Sequence, residues 1–253
     1  QRQMCIRDSG GPEVLRYTDV DAPQPSEEQL LIDVSFTGVN YIDTYFRSGT
    51  YPQEVPYIPG TEGSGRVVHD PKGEISEGTL VAFNEAVGTY AEQTVVNRNR
   101  VVAVPEGVAP EVAASMLLQG MTAHYLTEGV WHVDADTSLV VTAGAGGVGL
   151  ILTQMAAAKG ARIFSVVSTE EKAVLARAAG ATEVFTYSDD LADRIKAANG
   201  GEGVDVVYDG VGKDTFDFAL DVTRRRGMVC SFGSASGDVA VSYTHLTLPT
   251  NRE

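Results

Sequence analysis

The stretch "SLVVTAGAGGVGL" runs from Ser138 to Leu150. An apolar run, Ser138–Val141, leads into Gly144, Gly146 and Gly149, spaced as G-x-G-x-x-G, and a helical pattern follows. The glycine spacing alone is a weak signal, because Gly-rich turns are common. Its context carries the weight: a strand before it and a helix after it, inside a βαβ unit. In such a unit the first glycine permits a tight turn. The second lets the backbone approach a pyrophosphate resting on the helix amides, and the third lets the helix pack on the strand. No Gly-Lys-Ser/Thr follows, so a P-loop does not fit.

Downstream, strand and helix patterns alternate. "RIFSVV" (162–167), "EVFTY" (183–187), "VDVVYDGVG" (204–212) and "MVCSFG" (228–233) read as strands. Residues 147–160, 168–180, 189–201 and 214–227 read as helices, with Gly160 and Gly180 as stops and Ser168 with Glu171 as a capping box. Apolar strands separated by helices predict an α/β unit with a doubly wound parallel sheet.

Upstream the texture differs. "LLIDVSF" (30–36), "GRVV" (65–68), "TLVAF" (79–83), "YAEQTVV" (90–96) and "VVAVP" (101–105) are short, β-branched and cut by Gly and Pro. They predict a strand-rich, barrel-like unit. One helix is expected over 110–128, starting at Pro110. The boundary falls near 110–120, giving a β-rich unit over 10–115 and a nucleotide-binding unit over 116–241.

Composition narrows the function classes. Of 253 residues, 43% are hydrophobic and 21% charged, as in a globular chain. No apolar run is long enough to span a membrane. "QRQMCIRDS" lacks the apolar core of a secretory signal. A net charge of −15 repels nucleic acid and anionic membranes. It also repels an anionic cofactor, so a phosphate site needs local positive potential. The two distant cysteines, Cys5 and Cys230, suggest no disulfide framework and fit a reducing cytoplasm.

The end of the second parallel strand bears on cofactor choice. NAD sites usually place an acid there, for the ribose 2′-hydroxyl. Here Val167 and Ser168 occupy the strand end, and the first acid is Glu170. Ser168, Thr169 and Lys172 would instead hold a 2′-phosphate, which favours NADP over NAD. The plainer alternative is a helix cap at Ser168 and a solvated Lys172.

Longer motifs now join the glycine loop. "GGPEVL" (10–15), "GVNYIDTYFRSGTYP" (38–52), "PGTEGSG" (59–65), "GMTAHYL" (120–126), "AGAGGVGLI" (143–151), "VVYDGVG" (206–212) and "SFG" (231–233) resemble the zinc-free quinone oxidoreductases. These are the zeta-crystallin-like branch of the medium-chain dehydrogenases/reductases. The resemblance covers residues 10 to 241. It implies a GroES-like catalytic domain, a Rossmann domain, NADPH, and hydride transfer to a quinone or similar conjugated carbonyl. An alkenal or enone double-bond reductase would share every motif. A third reading is an NADPH-binding protein without turnover, or an inactive fragment.

Metal is not expected. Zinc-dependent relatives carry Cys where this chain has Asn40 and His where it has Thr61. His69, His124, His132 and His245 are scattered, whereas a structural zinc site needs clustered thiolates or imidazoles. A substrate carbonyl then needs another electrophilic partner. Asn40, Asp43 and Tyr45 are the candidate catalytic residues, since an amide or a neutral phenol donates to oxygen. The alternative is that the tyrosines only pack a cleft wall. Glu62 leans towards a structural role.

By resemblance, cofactor contacts comprise Tyr41, Ile42, Thr44, Thr122, Gly144, Gly146, Gly147, Val148, Gly149, Ser168, Thr169, Lys172, Tyr187, Val211, Phe232, Gly233 and Ser234. Gln119 stands where some relatives have Lys and takes no charge-based role.

Both ends depart from the family. Residues 1–9 and 242–253 match nothing in it and resemble translated adapter sequence. The expectation is therefore five of six parallel strands, a C-terminal truncation, and weak activity. The complete parent would be a homodimer, and this chain a doubtful one.

Overall fold

The structure, a computed structural model, describes residues 2–239. The expected foreign segment 242–253 lies outside them. The chain divides into two units, Gln1–Leu118 and Gln119–Glu253.

In the first unit, β1 (Arg2–Ile6) pairs antiparallel with β2 (Leu15–Asp19). Then come β3 (Gln29–Gly38), α1 (Tyr41–Ser48), β4 (Glu62–His69), β5 (Leu80–Phe83), β6 (Gln93–Asn97), β7 (Val101–Ala103) and α2 (Pro110–Ala113). The antiparallel sheet has the order β6-β3-β4-β5-β7. Alternation along the strands sends Leu30, Ile32, Val67, Val81, Phe83 and Val96 into one core. Of residues 1–9, set aside on sequence as foreign, Arg2–Ile6 form a strand of the fold. Cys5 and Ile6 are buried, and Ile6 exchanges two backbone hydrogen bonds with Tyr57. Alternating apolar residues are enough to occupy a strand, whatever their origin.

α3 (Leu117–His124) carries the chain into the second unit. There β8 (Ser138–Val141), α4 (Gly147–Ala158), β9 (Arg162–Val167), α5 (Glu170–Ala178), β10 (Glu183–Thr186), α6 (Leu191–Ala198), β11 (Val204–Asp209), α7 (Phe216–Val222) and β12 (Thr223–Ser231) alternate. The sheet is parallel, in the order β10-β9-β8-β11-β12. Leu139, Val141, Ile163 and Val206 meet Leu152 and Ala156 of α4 on one face. Val140, Phe164, Val166 and Val207 meet Leu191 and Ile195 of α6 and Ala219 of α7 on the other. Burial on both faces explains the unbroken apolar runs of these strands. Truncating Phe164 to Ala would cost about 3–5 kcal/mol.

Three local expectations are corrected. The helix expected over 110–128 is broken after α2. There the Ser115 hydroxyl bonds back to the Glu111 and Val112 carbonyls, competing with the helical ladder. After α3 the chain widens into a π-helical turn, Tyr125–Val130. In it the Leu126 carbonyl accepts both the Trp131 N–H and the buried Tyr208 hydroxyl. The helix expected over 214–227 ends at Val222, because Thr223 pairs with Val204 in the sheet. Lastly, α5 is capped by Thr169, whose hydroxyl accepts the Lys172 N–H, and not by Ser168.

Candidate functional site

The expected cofactor residues of the second unit gather at the carboxyl ends of its strands. The glycine loop leaves β8 and enters α4. Here the structure reassigns the first glycine's task. The left-handed residue is Ala143, at φ 50°. Gly144 is needed for space, since a Cβ there would lie 1.8 Å from the buried Ser165 Oγ. A Cβ on Gly149 would lie 2.6 Å from the Ala143 carbonyl, so the third glycine does permit close helix–strand packing. Gly146 caps α4 and is exposed. Its Cβ would meet only the Ala143 carbonyl, at 3.1 Å. The amides of the first turn, Gly147 to Gly149, therefore have no helical partner and form an anion site at a twelve-residue helix. The Gln119 side chain packs over Gly147, where a Cβ would lie 2.2 Å from its Oε1. Val148 is partly buried against the core beneath. Thr122, on α3, is half-buried.

At the end of β9, the exposed Lys172 ammonium donates to Ser168 Oγ at 3.0 Å. Cation and hydroxyl thus converge beside the Thr169 cap. The first acid after the strand, Glu170, accepts from Arg177 at 2.6 Å through Oε1, while Glu171 stays at the helix start beside Thr169. Tyr187 follows β10, and the Ala143 backbone of the glycine loop lies close enough to act on its phenol. Burial, with the Asp209 charge, pushes that phenol upward from its ordinary value.

Two further loops pack edge to edge. Ser236 N–H and Oγ donate to the Val211 carbonyl, and Lys213 N–H donates to the Gly237 carbonyl. A Cβ on Gly233 would lie 2.8 Å from the Gly210 carbonyl. Val211, Phe232, Gly233 and Ser234 are all partly buried there. These residues fit an elongated anionic cofactor: open helix amides at one point, a cation with a hydroxyl at another, and glycines where backbones approach.

The first unit holds the other candidates on α1. Asn40 is its N-cap, and Asp43 closes a capping box by accepting the Asn40 N–H at 2.9 Å. Asp43 Oδ2 also accepts the Tyr90 hydroxyl at 2.8 Å. With 7% exposure, the Asp43 carboxyl serves the helix start, and its burial pushes its pKa upward. Asn40 Nδ2 donates to Glu62 Oε2 at 2.7 Å, while Glu62 Oε1 accepts the Leu118 N–H at 2.8 Å. Glu62 is fully buried on β4 and orients the Asn40 amide. Tyr45 is half-buried between the rings of Tyr41 and Tyr51, at 5.4 and 5.1 Å. Tyr41 is 59% exposed, Ile42 is partly buried, and Thr44 Oγ1 donates to the Tyr41 carbonyl.

Sequence reading missed Asp209, Glu170 with Arg177, and the pairing of Glu62 with Asn40. A lone "YDG" gives no sign that its acid is buried. Glu170 and Arg177 lie seven residues apart, two helical turns, and that spacing was a readable signal. No group of His, Cys, Asp or Glu among the described residues is arranged to hold a metal ion.

The chain matches two known families. Residues 26–106 match the alcohol dehydrogenase GroES-like domain, and residues 147–252 the zinc-binding dehydrogenase family. Quinone oxidoreductase 1 of Escherichia coli is 39% identical over 237 residues, which are 91% of this chain and 72% of that protein. A mycobacterial protein solved in complex with NADPH superposes with a TM-score of 0.92 at 47% identity, covering 94% of this chain and 75% of that one. An E. coli quinone oxidoreductase complexed with NADPH gives 0.91 at 36% identity, over 95% and 75% of the two chains. With a two-unit fold, an open helix terminus after the glycine loop and these relatives, the chain belongs to the zinc-free quinone oxidoreductase family of the medium-chain dehydrogenases/reductases.

Proposed function

We propose that the chain is an NADPH-dependent reductase of quinones or related conjugated carbonyls. The observation that carries the cofactor choice is the Lys172–Ser168 pair at the end of β9, with Glu170 held by Arg177. A cation and a hydroxyl suit a phosphate, and an acid turned aside does not repel it. Gly144, Gly146, Gly147, Val148 and Gly149 would seat the pyrophosphate on the amides of α4. Thr169, Tyr187, Val211, Phe232, Gly233 and Ser234 would line the same groove. When bound, reduced nicotinamide supplies a hydride. From the first unit, Tyr41, Ile42, Thr44 and Thr122 beyond it would complete the contacts.

Asn40 and Tyr45 would face the reacting groups. The Glu62 carboxylate fixes the Asn40 amide, so its orientation is set before any ligand arrives. The Tyr45 phenol would donate to the developing oxyanion. A hydroquinone anion takes its proton from water, so no strong protein acid is required. Asp43 acts on α1 and not on the substrate in this reading.

A homodimer of the complete parent, not of this chain, and a reducing cytoplasm belong to the same proposal. Among the described residues β12 is an edge of the sheet, with backbone groups open on one side. No helix among them is long and apolar enough to cross a membrane.

Titration of the chain with NADPH, followed by fluorescence, and loss of NADPH absorbance across a panel of quinones and enones test the reading. Saturable binding with quinone-dependent oxidation supports it. Enone turnover without quinone turnover would replace the substrate class, and binding without oxidation would leave a binding protein.

A further inference from the structure

The fully buried carboxyl of Asp209 lies at the end of β11, outside every role assigned above. Tyr208 is in register with Val141, so Asp209 and Thr142 leave the sheet side by side. This is the point where strand order reverses, with β9 on one side of β8 and β11 on the other. Ligands of open α/β sheets bind at such a point.

Four donors converge on Asp209. Its Oδ1 accepts from Thr142 Oγ1 at 2.6 Å, from Thr215 Oγ1 at 2.7 Å and from Val211 N at 3.1 Å, and its Oδ2 accepts from Gly212 N at 3.1 Å. Thr142 Oγ1 in turn accepts the Gly210 N–H at 3.0 Å. Thr142 begins the glycine loop, Val211 and Gly212 form the second loop, and Thr215 caps α7. A buried carboxyl is costly unless hydrogen-bonded. Here its bonds run to three segments, which Thr142 Oγ1–Gly210 N and Thr215 Oγ1–Gly212 O otherwise join only in pairs.

We infer that Asp209 is the positioning residue of the cofactor site, tying the entry of the glycine loop to the 210–212 loop and to the start of α7. The inference rests on the NADPH reading above. It acts on segments common to both nicotinamide cofactors, so its loss weakens NADPH and NADH alike. In this it differs from Lys172, whose loss changes their ratio.

Asp209→Asn keeps the volume but turns an amide N–H2 towards one of the donors. Fluorescence titration of the whole chain should show NADPH and NADH dissociation constants both raised about tenfold, the loss expected for a hydrogen bond to a charged group. Their ratio should be unchanged. Exchange of the Gly210, Val211 and Gly212 amides should quicken. Val222→Ala removes buried volume at the last residue of α7 and supplies the purely structural control. It should lower the melting temperature and leave both constants as they were. If Asp209→Asn does not fold, Thr142→Val removes one bridging hydroxyl and should raise both constants to a lesser degree.

Unchanged constants in the Asp209 or Thr142 variants overturn the inference alone, as does an equal weakening by Val222→Ala. Failure of the unmodified chain to bind NADPH overturns the underlying reading, and the inference falls with it.

Discussion

Asn40 Nδ2 and Glu62 Oε2 lie 2.7 Å apart, and the carboxylate that receives this bond is fully buried. The amide is thereby held with its oxygen directed away from β4. Glu62→Gln offers one carbonyl oxygen to two donors, the Asn40 amide and the Leu118 N–H. The loss should be about 1–3 kcal/mol of stability, with lowered turnover. Urea unfolding and quinone-dependent kinetics check both. Unchanged turnover at reduced stability would make the pair structural only.

Lys172→Ala should weaken NADPH about tenfold and leave NADH nearly unchanged, since only the phosphate-bearing cofactor uses a charge-assisted bond there. Equal weakening of both would remove Lys172 from cofactor selection.

Asp43 supplies a pH signature. Burial raises its folded pKa above the ordinary value, against hydrogen bonds from Asn40 and Tyr90 that lower it. The protonated form is therefore favoured by folding. The stability this gives is full below the unfolded pKa of about 4 and is lost as pH rises through the folded pKa. Asp43→Asn lacks the effect. The stability of the unsubstituted chain relative to Asp43→Asn should fall as pH rises above about 4, measured by urea midpoints. A difference independent of pH would contradict the shift.

Tyr45→Phe should lower kcat while sparing the melting temperature, because the ring contacts with Tyr41 and Tyr51 survive. Loss of one transition-state donor costs about 2.7–4 kcal/mol in acyl transfer, and less is expected where water protonates the product. An unchanged kcat/KM would reduce the ring to packing.

Quinone reduction should survive strong chelators. No group of His, Cys, Asp or Glu among the described residues is arranged to hold a metal ion. Stoichiometric zinc in dialysed protein would oppose this.

The parallel sheet was legible because its strands are apolar on both faces and its helices carry glycine stops. Gly160 and Gly180 both take positive φ just past α4 and α5. What escaped were features set by contacts distant in sequence. Val204 draws Thr223 into the sheet nineteen residues later, and helical propensity alone cannot show that. The left-handed Ala143 was hidden for a related reason: the glycine next to it drew the conformational argument, while the space beside Ser165 decided it. Asp209 and Glu62 read as ordinary acids until their donors are seen. The Lys172–Ser168 pair was legible because the end of β9 leads straight into the first turn of α5, which sets both residues beside the Thr169 cap.

The wide turn at Tyr125–Val130 and the tyrosine of β11 form a matched insertion. An ordinary helix would direct the Val130 N–H to the Leu126 carbonyl. The extra residue moves that partnership to Trp131, and the second lone pair of the same carbonyl accepts the Tyr208 hydroxyl. Deleting one residue from the turn would rotate that carbonyl away from β11, and a phenol left without it in the core costs about 1–3 kcal/mol. Replacing Tyr208 by Phe would relieve that deletion. Helix length and strand chemistry therefore constrain each other across 82 positions of sequence, and a chain that changes one is under pressure to change the other.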